Sequence, residues 1–370
     1  MTGCGRQGIL LGLGLSVLLT AAANADPVRL DFLGSVEMPK GLRVGDTVVG
    51  GLSALSYDAS SGMFQAVSDD RGDDPTRGPA RLYSLRATLA ERGGLESVSI
   101  VSVSPLKDET GQPFKPGTVD AEGMARLPGD QGLVITSEGD LERGVLPFIG
   151  IFDRGLQLKR RLPLPPGFAP SPDGQRGARD NLIFEGASLL PGSMRLAISL
   201  ENALRQDGPQ TSVTDESPSR ISLYDLPSGR LVAQYVYTVG RIPVVPPDPG
   251  RPGDNGIADI LALDSTHLLV IERGYTPGVG NSIRLYAADL DGASNVLDLG
   301  SLKNETYRPM RKTLLLDMAR LGVRLDNVEG ITFGPKLGDG RRTLLLVSDD
   351  NFNPSQRTIF YALAIETAAP

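Results

Sequence analysis

The 370-residue chain contains one cysteine, one histidine and no tryptophan, and aromatic residues make up only 5% of it. Each shortage removes a class of chemistry. With Cys4 as the single thiol there is no disulfide framework and no cysteine metal cage, so stability has to come from packing. With His267 as the single histidine, no HExxH zinc site can be written, and histidine phosphatase chemistry has no motif. His267 sits in "DSTHLLV" and reads as a surface residue in a turn before a strand. No GxSxG elbow, Walker loop or dinucleotide fingerprint follows a strand-like run. The lack of tryptophan disfavours a sugar-stacking platform.

Long apolar runs are also scarce. The one from Ile9 to Leu19 is too short for a stable membrane anchor. Preceded by Arg6 and followed by Ala23-Asn24-Ala25, it has the parts of an export signal cleaved near Ala25. The expected organisation is a signal peptide over 1–25 and one domain over 26–370, periplasmic or secreted, with no membrane attachment after cleavage. Cys4 would leave with the leader. Acids outnumber bases, 44 Asp+Glu against 37 Lys+Arg, for a net charge of -7. That balance opposes a nucleic-acid partner, which needs a basic face, and is compatible with cation binding.

What the chain does have is a repeat. "GGLSALSYDASSGMFQAVSDDRG", "DAEGMARLPGDQGLVITSEGD", "FEGASLLPGSMRLAISLEN", "DNGIADILALDSTHLLVIERG" and "LDNVEGITFGPKLGDGRRTLLLVSDDNF" share one order of parts. A glycine-containing start leads into a short apolar strand, a turn, and a β-rich strand that ends in acids. Third strands follow in "ARLYSL", "FIGIFD", "RISLYDL", "SIRLYAADL" and "TIFYALAIE". Fourth strands follow in "ESVSIVSV", "LKRRLPLP", "RLVAQYVYTV" and "SNVLDLG". Four antiparallel strands recurring roughly every 70 residues describe an all-β fold, a β-propeller. Five blades can be counted, with a sixth as the alternative in the irregular stretch 303–321, where "RKTLLLDMARL" reads as a short helix. The last blade lacks a fourth strand, and "VRLDFLGSV" near the N-terminus can supply it and close the ring. The long Pro/Gly-rich connections between blades feed the inner strands, so they should lie on the same face as the acids.

The acids have a geometric consequence. In an antiparallel hairpin the start of the first strand lies beside the end of the second. That pairs Glu122 with Glu138, Glu185 with Glu201, Glu329 with Asp349 and, more loosely, Asp259 with Glu272. In a propeller the first strands line the central channel, so these pairs converge on one mouth. A lone acid–glycine pair can equally cap a turn or meet a neighbouring arginine. Recurrence in several blades points instead to carboxylates close enough to need protons or cations. Oxygen ligands without histidine or cysteine favour calcium or magnesium, and calcium suits irregular oxygen cages. The candidate site therefore comprises Glu122, Glu185 and Glu329 as catalytic carboxylates. Its metal ligands would be Asp69, Asp120, Glu138, Glu201, Asp259, Glu272, Asp326 and Asp349. Arg71 and Arg273 would grip an anionic substrate, with Lys312 as a further cation.

"DNVEGITFGP", "LLLVSDDNF", "DAEGMA", "FEGASL" and "IERGY" together resemble the phytase-like family of exported bacterial proteins, described as having esterase-like activity of phytase. The resemblance covers most of the chain after the leader. It implies a propeller fold and a hydrolase of phosphate esters. In the distantly similar β-propeller phytases, calcium ions held by acids at the channel mouth bind substrate phosphates and activate water. The acids here match that scheme in kind. Two further functions fit the same sequence: a non-catalytic periplasmic propeller with a structural cation, and a calcium-dependent lactonase. The expected partner is a small anionic molecule such as a phosphate ester, acted on by a monomer.

Overall fold

The computed structural model describes Met1, residues 28–90 and residues 93–367. Met1 apart, the expected leader lies outside the described residues. Among the described residues no helix is long and apolar enough to cross a membrane.

The chain forms five four-stranded antiparallel sheets, the blades of a propeller. From inside outward, blade 1 is Leu52–Asp58, Met63–Ser68, Arg81–Leu89 and Leu95–Pro105. Blade 2 is Ala121–Arg126, Leu133–Ser137, Phe148–Phe152 and Leu158–Leu162. Blade 3 is Phe184–Leu189, Arg195–Leu200, Ser217–Asp225 and Arg230–Val239. Blade 4 is Asp254–Ala262, His267–Thr276, Gly280–Asp289 and Arg311–Asp317. Blade 5 is Asn327–Lys336, Arg342–Asp349, Ile359–Thr367 and the N-terminal Val28–Glu37. The five inner strands touch in chain order around the axis, and the last returns to the first.

Burial explains why the strands differ in sequence. A second strand such as Leu133–Ser137 is sandwiched between neighbouring blades and is buried at every residue. It therefore reads as an unbroken apolar run rather than an alternating one. Outer strands face water on one side, and "LKRRL" buries only its two end leucines. The hydrophobic core is divided among the gaps between blades. Val134 of blade 2 packs with Phe184 of blade 3, and Ile221 of blade 3 with Leu268 of blade 4. Ile271 of blade 4 packs with Leu344 of blade 5, Phe360 of blade 5 with Tyr83 of blade 1, and Val67 of blade 1 with Phe148 of blade 2.

Ring closure follows the reading of the N-terminal strand. Val28–Glu37 pairs antiparallel with Ile359–Thr367, from Val28 opposite Thr367 to Glu37 opposite Ile359. Two local expectations are corrected. "SNVLDLG" is not the fourth strand of blade 4. It crosses the outer strand of blade 3, where the Val296 amide donates to the Gln234 carbonyl and Asn295 accepts from the Gln234 amide. The fourth strand is Arg311–Asp317, inside the segment read as a helix. Only its end turns, as a 3-10 helix over Met318–Leu321 capped by Asp317. The short apolar run "TLLL" has no helical period of its own, and the free edge of Gly280–Asp289 takes it as a strand. With 311–317 used in blade 4, no sixth blade forms among the described residues.

Leu30 and Phe32 of the closing strand are partly buried against the core between blades 4 and 5. Replacing both with aspartate should destabilise the ring by about 3 kcal/mol. The check is the denaturant midpoint; a midpoint equal to wild type would mean that closure by this strand contributes little.

Candidate functional site

All five inner hairpins carry the same irregularity. The first strand holds one extra residue at Ser53, Glu122, Glu185, Ala258 and Glu329, because the pairing shifts there in each blade. A bulge re-aims its extra side chain off the ladder. The same registers make Asp69, Glu138, Glu201, Arg273 and Asp349 equivalent, each following the second-strand residue that pairs with the position just before the bulge. The residues opposite them are Gly51, Asp120, Ile183, Gly256 and Asn327.

Glycine follows the bulge where neighbouring inner strands come closest. A Cβ on Gly123 would strike the Glu185 carbonyl of the next blade, and one on Gly186 would lie 2.5 Å from the Ile260 amide. At Gly330 the space is less tight, with Val347 at 3.0 Å and Ala54 at 3.1 Å. Hydroxyls take up the distorted amides: Gly123 donates to Thr136 Oγ1 at 2.7 Å and Gly186 to Ser199 Oγ at 2.9 Å.

These constraints bring Asp69, Asp120, Glu122, Glu138, Glu185, Glu201 and Glu329 around one cavity of about 560 Å³, together with Arg71 and Arg273. Asp349 is fully buried nearby and interacts repulsively with Glu329 and Asp69. One oxygen each from Asp120, Glu122 and Glu138 lies within 4.8 Å of the others, and so it is for Glu138, Glu185 and Glu201. Glu138 belongs to both groups.

Three predicted ligands stand elsewhere. Blade 4 is offset by one residue from the alignment that its sequence suggests. Asp259 occupies the glycine position after the bulge, and its carboxylate accepts from the amides of Ile331 at 2.9 Å and Ile260 at 2.7 Å. It joins blade 4 to blade 5 instead of facing the mouth. Glu272 points between blades 3 and 4, accepting from Tyr237 Oη at 2.8 Å and Lys312 Nζ at 2.5 Å. Lys312 is thereby spent on Glu272 and the Thr238 carbonyl. Asp326 accepts from the amides of Asn327 and Arg357, at 3.0 and 2.9 Å, and borders an adjacent cavity. In the "SDD" pairs the second acids are neutralised: Asp70 by Arg81 at 2.9 Å and Asp350 by Lys40 at 3.2 Å. His267 heads a strand and bonds to Asp264.

The mouth has two internal cations. Arg71 pairs with Asp120 and, at 2.9 Å, with Asp140. Arg273 donates to Asn327 Oδ1 at 2.7 Å and Glu201 Oε1 at 3.2 Å, with Glu329 at 3.7 Å. Blade 4 thus places a guanidinium where the other four blades place a carboxylate. Even so, burial pushes Glu201 up to about 7 and Glu329 to about 8 against the pull of Arg273. Burial, reinforced by neighbouring carboxylates, holds Asp69, Glu122, Glu138, Glu185 and Asp349 well above the usual range.

Rim residues that the sequence reading passed over are Asp73, Asp74, Arg77, Asn181, Asp254, Asn327 and Phe352. Arg77 stacks over the Phe352 ring at 4.4 Å, and that ring lies against Gly50 and Gly51, where a Cβ would meet it. The acids of "DDRGDDPTRG" were a visible signal for the blade 1 rim. Phe352 gave none, since its position depends on the left-handed turn at Asn351 and Phe352.

The donor set suits a hard cation. It is all carboxylate oxygen, it carries more negative charge than Arg71 and Arg273 balance, and the buried Asp349 Oδ2 has no hydrogen-bond partner. Calcium or magnesium would be held by Asp120, Glu122, Glu138, Glu185 and Glu201.

A family model described as phytase-like, esterase-like activity of phytase, matches residues 47–352. No curated protein matches the chain. Solved structures similar to it include the tail fibre of Staphylococcus aureus phage P68, at 10% identity over 91% of this chain and 52% of that one, TM-score 0.38. This chain thus spans about half the length of the tail fibre. The periplasmic gluconolactonase of Pseudomonas aeruginosa is 13% identical over 88% of this chain and 91% of that one, TM-score 0.35. A putative oxidoreductase (glucose dehydrogenase) from Thermus thermophilus is 16% identical over 86% and 85%, TM-score 0.34.

Two predictions test this geometry. Gly123→Ala should destabilise the protein by about 1–3 kcal/mol, and Gly330→Ala by less, because the first Cβ would overlap the Glu185 carbonyl whereas the backbone nearest the second, at Ala54, stands 3.1 Å away; equal melting temperatures would refute the close approach. The second concerns pH. Glu201 and Glu329 are raised above their unfolded values, so the stability they contribute is present at low pH and lost as pH rises through about 7 and 8. Chelator-treated protein should melt at a lower temperature at pH 8.5 than at pH 5.5, about 1.5 units either side of neutrality. Excess calcium should flatten that slope.

Proposed function

The chain belongs to the phytase-like family, described as having esterase-like activity of phytase, and from that premise we propose that it is an exported, calcium-dependent hydrolase of phosphate esters or other small anionic esters. The observation that carries this reading is the pair of carboxylate groups sharing Glu138, flanked by Arg71 and Arg273. A purely structural set of acids would be satisfied by amides, as Asp259 and Asp326 are; among the described residues, Glu138 alone of the acids in these two groups accepts a backbone amide, that of Ile183.

Calcium held by Asp120, Glu122, Glu138, Glu185 and Glu201 would supply charge neutralisation and polarisation of the ester oxygens. The chain's own residues do the rest. Arg71 and Arg273 line the cavity from opposite flanks of the acids; their terminal nitrogens already donate to Asp120, Asp140, Glu201 and Asn327, so an anion would be drawn by their charge and would share or displace those partners. Glu329, raised to about 8, keeps its proton at neutral pH and is suited to pass it to a leaving alcohol. Glu122 and Glu185 border the same cavity and would act through the calcium they help to hold, which leaves Glu329 as the proton carrier. The apolar run from Ile9 to Leu19 before Ala23-Asn24-Ala25 reads as an export signal and supports a role outside the cytoplasm, and the acidic net charge opposes a nucleic-acid partner.

A second reading is favoured by one observation. Ser53 and Ala258 take the bulge position in blades 1 and 4, so the ring of acids is incomplete there. A non-catalytic propeller that binds an anion beside a structural cation would tolerate those gaps.

Calcium at a hundredfold excess over its Kd should stabilise the protein by about 2.7 kcal/mol. Glu138→Gln, which alters both carboxylate groups, should lose most of that stabilisation. Turnover of phytate, p-nitrophenyl phosphate or a lactone should stop on chelation and return with calcium. Calcium binding without turnover of any ester would leave the binding propeller; turnover indifferent to chelator would overturn the metal-dependent reading.

A further inference from the structure

A second cavity, of about 480 Å³, adjoins the acidic mouth and shares Asp254, Arg273, Asn327 and Asn351 with it. It forms a trough between blades 4 and 5. Tyr275 and Asn281 from blade 4 line it, opposite Asn353 and Gln356 from the turn that follows Asp349. Arg273 stands at the divide, with its guanidinium tied to Glu201 on one side and to Asn327 on the other.

The chemistry of the trough differs from that of the mouth. The mouth is carboxylate; the trough is mainly amide and hydroxyl. Asn327 spends its amide inside the fold, on Arg273 and Glu329. The side chains of Asn281, Asn351 and Gln356 are exposed or half-buried and have no such partner among the described residues. Side-chain amides both donate and accept, and so do hydroxyl groups. A polyanion is a poor fit, because the one further cation lining the trough among the described residues, Arg324, already faces Glu37 at 3.9 Å and Asp326 at 4.0 Å. A flat aromatic ligand would find only the Tyr275 ring, and an apolar one only Leu325.

We propose that this trough is the subsite for the alcohol portion of the ester, that this portion is polyhydroxylated, and that it is read by hydrogen bonds from Asn281, Asn351 and Gln356. The ester's anionic end lies across Arg273 in the acidic mouth. The assignment rests on the ester-hydrolase reading above and adds the class of alcohol. Recognition here uses amides rather than ring stacking, in keeping with the absence of tryptophan.

The test compares two monoesters with the same anionic head, glucose 6-phosphate and methyl phosphate, by calorimetric titration in calcium buffer. The wild-type protein should bind the sugar ester about tenfold more tightly, the worth of two modest hydrogen bonds. Asn281→Ala combined with Gln356→Ala, which leaves only Asn351 of the three, should lose most of that preference. Neither side chain supports the fold, so the variant's melting temperature should match wild type. Equal affinities in the wild type, or a preference undiminished in the variant, would overturn the trough assignment alone. Failure of both esters to bind the wild type would overturn the ester-hydrolase reading, and the subsite with it.

Discussion

Like charges held close together in a buried mouth are the constraint that organises this propeller. Closing five blades brings the bulged positions of their inner strands to one end of the channel, and three of those positions are glutamates. Four of the five positions beside them also carry acids. Water cannot screen them well at that depth, so the charge must be answered by protons, guanidinium groups or cations. Particular residues offer each answer: protons at Glu201 and Glu329, guanidinium groups at Arg71 and Arg273, and groups sharing Glu138 whose oxygens could hold a cation.

Blade 4 is the departure that gives the mouth its direction. Ala258 and Arg273 stand there where glutamate and a second acid stand in blades 2, 3 and 5. The ring is therefore polarised, with carboxylates concentrated toward blades 2 and 3 and a guanidinium toward blades 4 and 5. That asymmetry separates a place for a cation from a place for an anion. It also sets Arg273 between the acidic mouth and the amide-lined trough. A fully symmetric ring would offer no such sidedness.

Much of the architecture was legible in the repeat. The unbroken apolar second strands, the alternating outer strands and the spare N-terminal strand each carry a pattern that follows from burial on two faces, on one face, or at an unclosed edge. That Glu122 would lie near Glu138 and Glu185 near Glu201 could be read from local hairpin geometry, but the residues opposite Glu138 and Glu201 are Asp120 and Ile183, because each bulge shifts the register. Asp259 and Glu272 were misjudged because "IADIL" and "IERG" offer acids one residue away from the true equivalents. A slip of one residue in a strand turns a side chain to the other face. Only the pairing of Ile257 with Glu272 shows which register is taken. The strand at 311–317 was misread for a related reason: a short run of leucines is defined by the sheet edge that receives it.

Taken alone, the sequence determined the fold class, the repeat, the closing strand and the chemical character of the mouth. Those properties depend on hydrophobic period, turn residues and residue type, all of which are local. The tertiary structure decided which acids meet, which are absorbed by amides between blades, that Arg273 enters the acidic ring, and that a trough opens beside it. Those outcomes depend on bulge register and on distances between strands far apart in the chain, and such distances exist only once the ring has closed.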